Sequence, residues 1–413
     1  MNILLANWTW YPSGGDWTYI NHIKTVLQEN GHMIIPFSMQ DERNEQTSYS
    51  KYFIQNIEYK ELNKNKNLRN NYTVLTRAIY SREAKHKLEQ LLTENVVDIA
   101  QLSNIHNYLT PSIIPVLKKR GIPIVWRVLD YKLICPNTTF VSGERICESC
   151  KNKLFIMCTL KKCKKDSFRA SFVASLEAYI YSFLGYYKYV DMYLFQSEFS
   201  RNKFIEYGFD SNKTAIIKNP LDTTNIVPSY SHKDFILFLG RLEKNKGIYT
   251  LFRAMENLPE IRLKIIGDGK EYYNCIEYIR QHQLNNVELL GAKWGEELNL
   301  ILAQAAFTIV PSEWYEVSPY SLLQSFALGK PVIGTNIAGI RDLINDGLNG
   351  LLFKMGDYSD LKDKIRLLYN SKESIVTMGK NAKATVDKYH SYDHYYKETM
   401  SIFQNLIKGK NRS

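Results

Sequence analysis

The stretch from Pro311 to Gly350, PSEWYEVSPYSLLQSFALGKPVIGTNIAGIRDLINDGLNG, constrains the fold more than any other part of the chain. An apolar run, Phe307–Val310, delivers the backbone to a Pro-Ser turn. A polar loop with Glu313 and Glu316 follows, and the spacing predicts a helix from about Pro319 to Leu328, stopped by Gly329. Lys330-Pro331 then leads into a second strand, Val332–Gly334. Such a β-loop-α-β unit carries its loop at the carboxyl end of the strand, where open parallel sheets bind ligands. Glu316 stands at that mouth beside a helix N-terminus, whose unpaired N–H groups suit an anion.

The same pattern begins the chain. Asn2–Ala6 (NILLA) reads as a strand, Pro12, Ser13, Gly14 and Gly15 as a loop, Asp16–Asn30 as a helix, and Met33–Pro36 as the next strand. Two adjacent glycines at a helix start are a weak signal by themselves. Residues 40–75 are polar and read as an insertion with a helix or two, without assignable chemistry. Val96–Leu102 is the next buried strand; His106 and Asn107 lie on the loop before a helix that starts near Pro111. His106 reads either as a cleft residue or as a structural loop histidine. Pro123–Val128 is a further strand, closing at Leu129-Asp130-Tyr131, with Arg127 and Asp130 as polar groups at its end. After strand Asp191–Gln196 comes a helix capped at Ser197.

Ile216–Asp222 reads as a hinge, because Asn219-Pro220 interrupts any regular element. The strand Phe235–Leu239 then runs into Gly240, Arg241, Lys246 and Gly247, ahead of a helix near Ile248. Glycines let backbone approach a phosphate, and Arg241 and Lys246 place two cations beside a helix N-terminus. Leu263–Gly269, with its glycine turn, and Val287–Gly291, followed by Lys293 and Trp294, are further strands.

A chain of 413 residues with 45% hydrophobic content suits two domains with packed cores. No basic region precedes the apolar run in MNILLANWTW, so no signal peptide is expected. The longest uncharged run, Ile99–Leu117, is too polar to span a bilayer. The expectation is a cytoplasmic protein. The net charge of +11 with 29 tyrosines suits an acidic membrane face, a phosphorylated substrate or an ordinary solvated surface. No nucleic-acid motif accompanies it. Ser167–Lys188 has aromatic and apolar residues at helical spacing, which fits either a membrane surface or packing on its own domain.

Five cysteines cluster with the spacing C-x11-C-x2-C-x7-C-x4-C: Cys135, Cys147, Cys150, Cys158 and Cys163. In a reducing compartment this points to a structural zinc or to a reduced compact loop. Redox catalysis by the single CxxC is the weaker reading, since it does not open a helix after a strand.

The ordered run PS-x-x-Y-E, an amide eight residues on, G-K-P-V-I and G-I-x-D-L-I-x-D-G-x-x-G resembles the retaining GT4-type (group 1) glycosyltransferases of the GT-B fold. The resemblance implies two Rossmann-like α/β domains whose parallel sheets face an interdomain cleft. They would span 1–217 (acceptor side, with a Cys-rich insertion at 135–163 as in some polysaccharide-assembly relatives) and 218–388 (donor side), with 389–413 crossing back. It implies transfer from a UDP- or GDP-sugar to a glycan or polyprenyl-diphosphate-linked acceptor in surface polysaccharide assembly, without a catalytic metal, at the inner membrane face. Arg241, Lys246 and Glu316 take the catalytic positions. Gly14, Gly15, Gly240, Gly267, Gly269, Lys293, Ser318, Pro319, Tyr320, Gln324, Gly339 and Ile340 take donor positions, and His106, Asn107, Arg127 and Asp130 acceptor-side ones. Two positions depart from the family pattern: Gln324 replaces its second glutamate, and Leu129 its strand-end histidine. A sugar-nucleotide-binding or scaffold subunit without turnover is therefore the alternative.

Overall fold

The computed structural model describes residues 1–56 and 79–410. Most of the polar stretch 40–75 thus lies outside the described residues. The first part of the chain runs β1 (Asn2–Ala6), α1 (Gly15–Glu29), β2 (Met33–Phe37), α2 (Arg82–Glu94), β3 (Ile99–Leu102), α3 (Ile114–Lys119) and β4 (Ile124–Arg127). The cysteine-rich segment follows, with hairpin β5 (Val141–Ser142) and β6 (Arg145–Ile146), then α4 (Ile156–Leu160) and α5 (Phe168–Leu184). β7 (Met192–Phe195), α6 (Glu198–Glu206) and β8 (Thr214–Ile216) lead to the hinge. These strands form one parallel sheet in the order β2-β1-β3-β4-β7-β8.

Beyond the hinge come β9 (Ile236–Leu239), α7 (Ile248–Met255), β10 (Leu263–Ile266), α8 (Tyr272–Gln281), β11 (Val287–Leu289), α9 (Gly295–Gln304) and β12 (Thr308–Val310). The chain continues through α10 (Tyr320–Ala327), β13 (Val332–Thr335), α11 (Ala338–Leu343), β14 (Gly350–Phe353), α12 (Tyr358–Tyr369), α13 (Lys372–Tyr389) and α14 (Tyr392–Lys410). Their sheet is also parallel, in the order β11-β10-β9-β12-β13-β14. That is the Rossmann order, which reverses direction between β9 and β12. The fold is α/β, with two six-stranded parallel sheets.

Helices cover both faces of each sheet, so the strands read as near-continuous apolar runs. Ile236, Leu237 and Phe238 are all buried in β9, as are Leu4, Leu5 and Ala6 in β1. Strand ends are shorter than the apolar runs suggest. Val96 is 73% exposed and β3 starts only at Ile99. Pairing to β1 sets that start, where the Asp98 carboxylate accepts from the Asn2 N–H at 2.7 Å.

The last helix packs on the first domain. The Tyr19 and Tyr395 hydroxyls lie 2.6 Å apart, and His22 Nδ1 is 2.6 Å from the Tyr392 hydroxyl. Tyr395, Met400 and Phe403 share one buried cluster with Ile20, Ile23 and Leu194. The hinge is fastened by Arg127, whose guanidinium donates to the Ile217 carbonyl and to Asn219 Oδ1, both at 2.7 Å.

Candidate active site

Two loops meet at the point where the second sheet reverses direction. The loop after β9 carries Arg241 and Lys246; the loop after β12 carries Glu313 and Glu316. Their backbones join where the Glu313 N–H donates to the Asn245 carbonyl at 2.8 Å. Lys246 Nζ bonds Glu316 Oε1, which also accepts from Ser312 Oγ at 2.9 Å and Trp314 Nε1 at 2.8 Å. Burial pushes the Glu316 carboxyl up, but the Lys246 ammonium and the three hydrogen bonds outweigh it and hold the group below the usual range. All three donors use Oε1, so Oε2 remains to accept hydroxyl hydrogens.

Arg241 is largely exposed and pairs with Glu243 at 3.2 Å. The helix N-terminus near Glu316 is that of α10, entered through Pro319. Gly339, on the first turn of α11, sits directly against the Glu316 loop. Its N–H donates to the Glu316 carbonyl at 2.9 Å, and a Cβ there would lie 2.0 Å from the Val317 oxygen. No other residue type fits this approach. Gly267 and Gly269 similarly let the loop after β10 press on the backbone of Gly240 and Leu242.

The remaining donor-side candidates divide. Gln324 is half-buried on α10, Lys293 pairs with Glu297 at 2.6 Å, and Ser318 passes its carbonyl to Asn219 Nδ2 at 3.3 Å. Tyr320 is stacked on His22 across the interface. Ile340 is fully buried in the core and contributes packing. Gly14 caps α1 with φ 136°, and Gly15 opens that helix.

On the acceptor side the structure corrects one assignment. Arg127 is 0% exposed, committed to the hinge and held over the Tyr19 ring at 4.6 Å, so it faces no acceptor. His106 packs on Trp126 and lies 3.0 Å from the Tyr187 hydroxyl, which makes it a packed loop histidine. Burial holds it well below the ordinary histidine range. Asn107 is half-buried with φ 67°. Asp130 accepts from the Lys132 N–H at 2.8 Å, and burial raises its carboxyl to about 6.

Among the described residues no group of three or more His, Cys, Asp or Glu is placed to hold a metal ion. Cys147 turns to Ser149, 3.4 Å away, and to Lys161, 3.5 Å away. Burial pushes the Cys135 thiol up to about 11 and that of Cys150 to about 12. Cys158 hydrogen-bonds Cys163, raising the former and lowering the latter. Cys150, Cys158 and Phe155 form a small buried cluster with Cys163 packed against it.

The segment has a different contact with the site. Glu148, inside the CxxC, accepts from the Tyr315 hydroxyl at 2.8 Å and from Lys203 at 3.0 Å. Tyr315 is the neighbour of Glu316 and also meets Phe140 and Phe199. Glu144 pairs with Lys244 at 2.9 Å across the same boundary, beside a crevice of about 740 Å³. Asp342 accepts from the Phe199 N–H at 2.7 Å, capping a helix of the other domain. Sequence reasoning missed Glu148 and Tyr315, and read Asn219 only as part of the Asn-Pro step, not as the partner of Arg127 and Ser318.

Residues 222–385 match the family of glycosyl transferases, group 1. The matched stretch begins after the Asn219-Pro220 step and ends within α13. The uncharacterized glycosyltransferase MJ1178 of Methanocaldococcus jannaschii is 30% identical over 208 residues, covering 50% of this chain and 58% of that protein. The lipopolysaccharide core biosynthesis glycosyltransferase LpsE of Rhizobium meliloti is 30% identical over 143 residues, 35% of this chain and 40% of its own. The chain thus spans less than two thirds of the length of either relative. Anabaena HepE, solved with UDP-glucose, superposes with a TM-score of 0.66 at 15% identity, over 98% of this chain and 100% of that one. The shared architecture is GT-B.

Proposed function

We propose that the chain is a retaining glycosyltransferase that moves a sugar from a nucleotide-sugar donor to a saccharide or lipid-linked acceptor in surface glycan assembly. The observation that carries this reading is the Lys246–Glu316 pair at the switch point of the group 1 domain, with Arg241 on the same loop as Lys246. In such a transfer negative charge grows on the β-phosphate of the leaving nucleotide. Arg241, Lys246 and the α10 N-terminus supply fixed positive potential for it. Glu316 Oε2 accepts donor-sugar hydroxyls, and the low position of its carboxyl keeps it charged for that task. Gln324 accepts a ribose hydroxyl without charge assistance. Asp130, at the opposite strand end, is the remaining polar candidate toward the acceptor. The UDP-glucose complex of HepE and the lipopolysaccharide role in the name of LpsE support the donor and pathway classes.

Binding and turnover across UDP-, GDP- and ADP-sugars test the reading in the native chain, Glu316→Ala and Lys246→Ala. Selective use of one donor, lost by about 10²-fold or more in both variants, is the expected result. Donor binding without turnover in the native chain, even with acceptors present, would replace this reading with the scaffold one.

A further inference from the structure

Helix α5 is built inside out. Its protein-facing side is mostly small and polar: Ser171, Ala174, Ser175 and Glu177 are buried, with Tyr181 the one aromatic beside them. Ser175 donates to the Phe155 carbonyl at 2.7 Å and accepts from Thr159 at 2.8 Å. Glu177 forms a buried ion pair with Lys132 at 2.7 Å, both side chains under 5% exposed. The aromatic side points outward instead. Phe168, Phe172, Tyr179 and Phe183 are 54%, 48%, 39% and 91% exposed. At 100° per residue these four positions fall within a single narrow arc along the helix.

The stripe continues onto α4. Tyr179 accepts from the Ile156 N–H at 3.1 Å and meets the Phe155 ring. Ile156, Leu160 and Leu154 beside it are 43%, 63% and 53% exposed. Exposed cations flank this apolar strip, Lys153, Lys162, Lys165, Arg169 and Lys188, with Asp166 the one exposed carboxylate between Lys162 and Lys188. Contiguous apolar surface with a polar, here mainly cationic, rim marks an interaction face.

We infer that this face of α4 and α5 docks on an anionic lipid surface, with the aromatic stripe at the headgroup boundary and the cations on acidic headgroups. A second copy fits poorly, because a two-fold contact would set the same cations against each other. The inference stands apart from the donor site, and its readout is binding.

The test is co-sedimentation with phosphatidylcholine vesicles, with and without phosphatidylglycerol. The native chain is expected to prefer the anionic vesicles about tenfold and to be released by salt. Phe172→Ser with Phe183→Ser should weaken that binding about tenfold without lowering the thermal midpoint. Lys162→Glu with Lys165→Glu should abolish the anionic preference. Failure to bind anionic vesicles would overturn the inference. So would a native dimer that the Phe pair turns into a monomer, which would assign the face to a second copy.

Discussion

Two carboxylates at strand ends carry opposite shifts, and their neighbours explain why. Glu316 is held low because one ammonium and two neutral donors converge on Oε1 against the effect of burial. Asp130 receives a single backbone donor, and burial raises it to about 6. A carboxyl raised in the folded state keeps its proton after the unfolded chain has released it near pH 4. Stability therefore falls as pH rises from about 4 to 6, and the full cost persists above that window. Asp130→Asn should stabilise the protein by about 1–3 kcal/mol near neutrality, with no gain below about pH 4. Denaturant midpoints at the two pH values check this; a gain of the same size at both would refute it. Glu316 was legible in the sequence because its chemistry sits in a local ordered run. Arg127 misled, since a charged residue at a strand end looks the same whether it faces a ligand or a hinge.

At the scale of elements, the Glu316 loop is held from two sides. Gly339 presses on it from its own domain, and Glu148 holds its Tyr315 from the other. Tyr315→Phe and Glu148→Gln should each raise the donor KM. Their double mutant should lose less than the sum, with a coupling of about 0.5–3 kcal/mol. Additive effects would show that the contact does not position the loop. The β-α units were readable because each is encoded by an apolar run and a glycine close by in sequence. The Glu148–Tyr315 bond joins residues 167 positions apart, and no local pattern announces it. The cysteine spacing likewise shows proximity but not which group each thiol meets, as with Cys147 beside Ser149.

The whole molecule is tied together by buried histidines. His22 meets Tyr392 and Tyr320, and His390 Nδ1 donates to the Asn219 carbonyl at 2.7 Å. Burial lowers both to about 4. Between about pH 6.5 and 4 the unfolded chain takes up protons that the folded one refuses, so stability drops as pH falls through that range. The expected loss at pH 5 is about 2 kcal/mol for each histidine, and His390→Gln should remove one share of it. A thermal midpoint that stays flat from about pH 7 to 5 would sink this account.

The packing of α14 on α1 also has a consequence in time. Tyr395, Met400 and Phe403 complete a cluster whose other members, such as Ile20 and Ile23, lie near the amino terminus. At about 5–20 residues per second, a ribosome takes on the order of 10–40 s to travel from the hinge to those side chains. Throughout that interval the first-made half of the protein shows an unfinished apolar surface to whatever is nearby. The half synthesised first is the last to be sealed.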